Sequence, residues 1–74
     1  MKVKTFVNKA RKHAIISKYH VYHWIEGAVD YKQDVYDDYR PVIAEFGDDK
    51  VSNYYYTGRD EVVELDIYTD LIEG

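Results

Sequence analysis

The sequence has no cysteine, which excludes disulfide bridges and metal sites built from thiolates. Its four glycines stand apart from one another, so no glycine-rich loop is present to hold a phosphate group. No apolar run approaches the ~18 residues that cross a bilayer, and no hydrophobic segment follows the basic N-terminus as in a secretion signal. These absences predict a cytoplasmic protein without covalent cross-links or a membrane span.

Leucine is scarce, and its scarcity shapes the expected fold. The chain contains two leucines but nine valines, six isoleucines and nine tyrosines. β-Branched and aromatic side chains favour strands, whereas a helical bundle would depend on leucine and alanine. The 74 residues make one domain, residues 1–74, that buries only about 60% of its unfolded surface. We therefore expect a sheet with some helix around one small core.

Charge is divided between the two parts of the sequence. Residues 1–18 carry six lysines or arginines and no acid, whereas residues 19–74 carry four basic and fourteen acidic residues. Such a division is typical of a basic arm that binds phosphate, or of an acidic surface that binds a basic partner. It also fits a basic helix that docks on its own acidic sheet. We favour this last arrangement, because runs of charge are usually solvated faces.

The first element is predicted to be a helix over residues 4–14. Thr5 is a suitable N-cap, because its hydroxyl can accept the backbone N–H of Asn8. Basic side chains occupy the C-terminal half, where positive charge interacts favourably with the helix dipole. An apolar stripe recurs at helical spacing and is formed by Phe6, Val7, Ala10 and Ala14.

The functions that the sequence permits depend on whether residues 18–26 form a helix or a strand. Periodicity permits a helix or a strand, but the segment is built from aromatic and β-branched residues that favour strands over helices. We predict a strand that ends at a turn containing Gly27. On a strand His20 and His23 point to opposite faces, so they cannot share a zinc ion as they would on a helix. No metal or other cofactor is expected.

The rest of the pattern predicts three further strands and a short helix. In chain order these are a polar strand, a helix and two strands, over residues 29–35, 37–47, 50–56 and 61–68. Asp37 or Asp38 can cap the helix, and residues 57–61, which include Gly58, suit a hairpin loop of the longer kind. The predicted fold is α+β, with an N-terminal helix and a four-stranded, mainly antiparallel sheet that carries the helices on one face.

Residues 16–27, "ISKYHVYHWIEG", resemble the recognition helix of helix-turn-helix and excisionase-like winged-helix proteins. The matching residues are Ile16, Ser17, Lys18, Val21, Tyr22, Trp24, Ile25 and Gly27. The resemblance implies an alternative function, DNA binding, in which the basic helix upstream contacts phosphates. The contact residues of this alternative would be Lys9, Arg11, Lys12, Ser17, Lys18 and His20. The acidic excess of residues 19–74 opposes it, because DNA is itself negatively charged.

Two further segments resemble small α+β proteins, without an assigned activity, that are encoded by phages and prophages of Gram-positive bacteria. In residues 1–7, "MKVKTFV", a capped helix begins close to the start, as in those proteins. Residues 48–68, "DDKVSNYYYTGRDEVVELDIY", match a strand, a charged loop and a strand that ends in alternating acidic and aliphatic residues. The resemblance implies an α+β fold and a phage origin, and it assigns no functional residue.

The sequence offers little for catalysis. Ser17 and Ser52 are the only serines, and neither lies between the glycines that expose a serine nucleophile at a sharp turn. A domain of this size also has little room for a substrate cavity of ~300 Å³ or more. We therefore expect a protein that is not an enzyme and has no catalytic residues.

Tyrosines supply the predicted binding surface, because they bring a large contact area with little rotamer entropy. The predicted contact residues are Tyr54, Tyr55, Tyr56, Tyr68, Glu64 and Asp66. Such a surface would suit a basic protein partner. An unpaired edge strand offers a second kind of contact, because it can pair with another copy to form a homodimer. We expect a small accessory protein that acts through protein contacts.

Overall fold

The computed structural model describes residues 1–24, 31–59 and 62–69. The elements follow the predicted order and are α1 (Val3–His13), β1 (Ile16–Trp24), β2 (Tyr31–Tyr36), α2 (Tyr39–Phe46), β3 (Val51–Arg59) and β4 (Val62–Thr69). The predicted α+β fold is thus confirmed, and so is the strand expected at residues 18–26 over its described part. The turn expected at Gly27 lies outside the described residues.

The four strands form one mixed sheet in the order β2-β1-β4-β3. The β1–β2 and β3–β4 hairpins are antiparallel, as expected, and the two hairpins join through a parallel pairing of β1 with β4. Parallel neighbours need a long crossover connection, usually a helix. Here the connection from β1 to β4 includes β2, α2 and β3, and it places α2 over the sheet.

One core lies between the helices and one face of the sheet. α1 contributes residues at helical spacing, α2 contributes two, and β1 and β4 contribute alternate residues: Val3, Phe6, Val7, Ala10, Val42, Phe46, Tyr19, Val21, Leu65 and Ile67. Leu65 and Ile67 alternate along β4 on its inward face, and both are fully buried. Of the two described helices, neither is long and apolar enough to cross a membrane.

The N-terminus of α1 differs from the prediction that Thr5 caps it. The helix begins at Val3, and its N-cap residue, Lys2, makes no side-chain capping bond. The free N–H groups are instead taken by the loop that follows α2. Val3 donates to the carbonyl of Asp49 at 2.8 Å, and Lys4 donates to that of Gly47 at 3.1 Å. Tertiary packing therefore replaces the local cap, and it fixes α1 against the start of β3.

The basic N-terminal segment meets residues of its own chain. The Lys4 ammonium lies 3.3 Å from an Asp48 carboxylate oxygen, and the Lys2 ammonium lies 3.7 Å from the same oxygen. At the other end of α1, the Arg11 guanidinium stacks on the Tyr39 ring, with 3.3 Å between its central carbon and the ring centroid. The exposed ion pairs contribute little stability, but the stacked guanidinium holds α1 against α2.

The β3–β4 hairpin is longer than predicted. Thr57, Gly58 and Arg59 belong to β3 and pair with Glu64, Val63 and Val62, so the long loop expected at residues 57–61 is wrong. The strands approach each other so closely at this end that a Cβ atom on Gly58 would overlap the carbonyl oxygen of Val62. Gly58 thus extends the ladder instead of breaking it.

Thr69 gives the first testable prediction, because its buried hydroxyl joins β4 to β1. Oγ1 donates to the carbonyl of Tyr22 at 3.2 Å, so it accepts from Nδ1 of His23 at 3.0 Å. Thr69→Val keeps the shape but removes both hydrogen bonds from a buried position, and we expect it to reduce the free energy of unfolding by about 1–2 kcal/mol. Urea denaturation measures this change. Ser52→Ala, which removes an exposed bond to the Tyr68 carbonyl, is the control and should have little effect.

Asp38 gives the second prediction, because it caps α2 as the sequence suggested. Its carboxylate accepts the backbone N–H of Arg40 at 2.8 Å and the guanidinium at 3.0 and 2.7 Å. The guanidinium bonds, followed by the backbone bond, lower the pKa of Asp38 from 3.8 to about 2. A lowered folded-state pKa stabilises the fold above pH 3.8, and this contribution is lost as the pH falls through about 2.

A carboxyl-carbon NMR titration measures this pKa directly. In Arg40→Gln the pKa should rise toward 3.8 but remain below it, because the backbone bond is retained. An unchanged pKa in this variant would show that the guanidinium is not the cause.

Candidate functional site

The sheet face opposite the helices is not covered by any described element, and we call it the open face. Because Tyr19, Val21, Leu65 and Ile67 point into the core, the residues between them point away from it. Cross-strand register places their partners on the same side. The described side chains of the open face include Lys18, His20, Tyr22, Gln33, Val35, Asn53, Tyr55, Thr57, Glu64, Asp66 and Tyr68.

Three rings form a continuous row across this face, which we call the tyrosine ladder. Tyr22 and Tyr68 are direct partners on β1 and β4, and their rings stack with centroids 4.5 Å apart and planes 9° apart. Tyr55 on β3 meets Tyr68 edge to face at 5.9 Å and 86°. The Asn53 side-chain amide donates to the Tyr55 hydroxyl at 3.0 Å and fixes the outer end of the row. The ladder spans three strands on a rigid support.

A row of hydrogen bonds runs beside the ladder. The Gln33 amide donates to the Tyr22 hydroxyl at 3.2 Å and lies 3.1 Å from Nδ1 of His20. Nε2 of His20 lies 2.8 Å from a Glu64 carboxylate oxygen. Because an ionised carboxylate only accepts, Nε2 carries the proton and Nδ1 accepts from Gln33. Both ring nitrogens of His20 are therefore satisfied, and the ring holds Glu64 in a fixed position.

Among the described residues of the open face, Asp66 is a carboxylate without an ionic partner. It lies opposite His20 on β1 and Tyr55 on β3, and it forms no ion pair with a described residue. The pKa of Tyr22 is raised above 10.0, and burial is the largest cause. The charge of the Asp66 carboxylate and then Tyr68 raise it further. Asp66 is thus available to a cation that approaches the rings.

The residues predicted as partner contacts do not all lie together. Tyr55, Tyr68, Glu64 and Asp66 share the open face. Tyr54 and Tyr56 lie on the helix side of β3, where the Tyr54 ring packs 4.7 Å from that of Phe6 and 5.8 Å from that of Tyr56. The division follows from strand geometry, because three consecutive side chains alternate between faces.

Sequence reasoning missed Tyr22 and Gln33 as members of this surface. Alternation along the predicted strand places Tyr22 on the same face as His20. The pairing of β1 with β4, which brings Tyr22 onto Tyr68, joins residues that are distant in the sequence. No local pattern could have indicated this contact.

The residues of the DNA-binding alternative are divided as well. Ile16–Trp24 is a strand, so a recognition helix at residues 16–27 is wrong over the described part of that segment. Lys9, Arg11 and Lys12 lie on α1, whereas Lys18 and His20 lie on the open face, and Ser17 donates its hydroxyl to the Val63 carbonyl at 3.0 Å. The six residues do not form one basic surface.

The two strand histidines point to opposite faces, as predicted. His20 contacts Glu64 on the open face, whereas the His23 ring lies 5.8 Å from that of Phe46 on the helix side. In the part of the chain that the structure describes, no three His, Cys, Asp or Glu side chains are grouped so that they could hold a metal ion.

Comparison of the chain with protein-family models, with curated proteins and with solved structures gives no match.

The influence of Asp66 on the ladder gives the third prediction. Asp66→Asn should lower the pKa of Tyr22, because it removes one of the charges that oppose ionisation of the phenol. Because the pKa of Tyr22 is raised in the folded state, the protonated phenol contributes fully to the stability of the fold below pH 10.0. This contribution is lost as the pH rises through the folded-state pKa of Tyr22. Tyrosine ring-carbon NMR shifts report the titration residue by residue.

Asp34→Asn is the matched control for this experiment. Asp34 helps to raise the pKa of Tyr36 on the other side of the sheet, so its neutralisation should lower that pKa and leave Tyr22 unchanged. If both variants shift Tyr22 equally, the charge of Asp66 does not act locally.

Proposed function

We propose that this protein is a non-enzymatic, cytoplasmic binding protein that contacts a protein partner through its open face. The tyrosine ladder is the observation that carries the proposal. An aromatic row that no described element covers, held by Asn53 and Gln33, offers a preorganised contact surface. Tyrosine is enriched at interfaces because a ring with few rotatable bonds loses little entropy on binding.

Charge indicates the chemistry of the partner. Asp66 forms no ion pair with a described residue and lies opposite Tyr55 of the ladder, while Glu64 is held nearby by His20. Lys18 is the described lysine of this face and lies opposite Glu64, at the end away from Tyr22. A partner segment with arginine or lysine could pair with Asp66 and place its cation over a tyrosine ring. We therefore propose a basic, extended protein segment as the ligand.

The hydroxyl groups support a non-enzymatic role. His20 and Glu64 make the pair most like an acid–base dyad, but neither serine hydroxyl forms a hydrogen bond with them. Ser17 donates to the Val63 carbonyl and Ser52 to the Tyr68 carbonyl, each at 3.0 Å. Both hydroxyls are thus used to tie strands together. The origin suggested by the likeness to phage-encoded accessory proteins stays a prediction.

Selection from a random peptide library tests the proposal. Peptides bound by the protein should be rich in arginine or lysine beside an aromatic residue, and NMR shift changes should centre on Tyr22, Tyr55 and Tyr68. Tyr68→Ala should weaken binding of a selected peptide about tenfold, as is typical for a central aromatic contact. Asp66→Asn should weaken it several-fold, and the effect should shrink as salt increases.

Tyr56→Ala is the matched control, since Tyr56 is about as exposed as Tyr55 but lies on the helix side. It should leave peptide affinity unchanged. Shift changes centred on α1, or salt-sensitive binding of a single-stranded oligonucleotide in preference to the peptides, would contradict a protein-binding open face.

A further inference from the structure

The two edges of the sheet are very different. β2, at one edge, has six residues and includes Lys32 and Asp34, and such charged side chains oppose pairing with another strand. β3, at the other edge, has nine residues, and no side chain from Val51 to Gly58 is charged. This stretch also lacks proline. From Val51 to Gly58, β3 therefore lacks the charged side chains and the proline that oppose pairing of an edge strand with a further strand.

The chain itself limits how much of this edge is free. The Val51 N–H donates to the carbonyl of Met1 at 2.9 Å, so the N-terminus occupies the first position. A register shift follows between Val51 and Asn53, and from Asn53 the pairing with β4 is regular. The outer side of β3 from Asn53 to Gly58 has no strand partner among the described residues. In an antiparallel sheet, alternate residues of an edge strand point their N–H and C=O groups outward. The N–H of Tyr54 is taken by the side-chain oxygen of its neighbour Asn53 at 2.9 Å, so a further strand would replace this exposed bond.

We propose that β3 pairs antiparallel with β3 of a second copy, about a twofold axis at Tyr55. The eight strands of two copies would then form one continuous sheet. In this register Tyr55 lies opposite Tyr55 of the second copy, and Tyr54 lies opposite Tyr56 of the second copy. Asn53 lies opposite Thr57 of the second copy.

The side chains of this stretch fit such a pairing. Tyr54, Tyr55 and Tyr56 are 48%, 51% and 47% exposed, so each ring has about half of its surface left to bury. Tyr54 and Tyr56 border a groove of about 430 Å³ beside α1, whose floor includes Phe6 and Ala10. In the proposed dimer, the rings of Tyr54 and Tyr56 of the second copy lie at the opening of this groove. Cross-strand aromatic pairs stabilise a sheet, and no like charges meet between Asn53 and Thr57.

Self-complementarity favours a second copy over an unrelated strand. The three tyrosines are symmetric about Tyr55, so an antiparallel copy brings ring to ring on both faces of the sheet. An isologous interface requires this property, in which the same patch contacts itself. The inference depends on the backbone edge of β3 and stands separately from partner binding by the open face.

Sedimentation velocity of the protein alone, over a concentration series, tests the inference. The interface is small, so we expect a monomer–dimer equilibrium with a Kd of about 1–100 μM. Tyr55→Lys and Tyr55→Glu each place like charges together at the twofold axis, and each should raise the Kd at least about tenfold. An equimolar mixture of the two variants should recover the dimer, because Lys then faces Glu.

Recovery in the mixture also shows that both variants are folded. Val35→Lys is the matched control, because Val35 is 50% exposed on the opposite edge strand, and it should leave the Kd unchanged. A wild-type protein that stays monomeric at about 1 mM would overturn the inference. So would a mixture that stays monomeric, or a dimer that Val35→Lys disrupts and Tyr55→Lys does not. None of these results depends on a peptide ligand, so each is distinct from a failure of the proposed function.

Discussion

The parallel pairing of β1 with β4 is the constraint on which the rest of the structure depends. It joins two hairpins into one sheet and places Tyr19 beside Leu65 and Val21 beside Ile67 beneath the helices. The same register places Tyr22 on Tyr68 on the other side. A slip of one residue would exchange the two faces and put phenol rings where the helices pack. Packing of the core therefore also fixes the strand register on which the arrangement of the open face depends.

Features set by residue type and alternation could be predicted from the sequence. The strand at Ile16–Trp24 follows from its aromatic and β-branched residues, and its alternation sends His20 and His23 to opposite faces. The apolar stripe of α1 and the buried positions of β4 follow from spacing alone. Asp38 was recognisable as a cap because its hydrogen bonds reach only two residues along the chain.

Features set by contacts between distant segments could not be predicted. The stacking of Tyr22 on Tyr68 depends on strand order, which local patterns do not contain. The start of α1 depends on carbonyl groups of Gly47 and Asp49, which are distant in the sequence, whereas the local sequence predicts a side-chain cap at Thr5. The sequence predicts a loop at residues 57–61 because glycine usually marks a turn, whereas here Gly58 permits close approach of Val62.

Tyr55 connects the two proposals, because it is both the outer end of the tyrosine ladder and the residue on the proposed twofold axis. In the proposed dimer the ladders of both copies meet at Tyr55 and form one row of six rings across six of the eight strands. Two Asp66 carboxylates then lie symmetrically about the centre of that row. A partner with two basic segments could engage both, and the second contact would form at the high effective concentration set by the first. Dimerisation at the β3 edge would thus convert a small, weak binding face into a bivalent one.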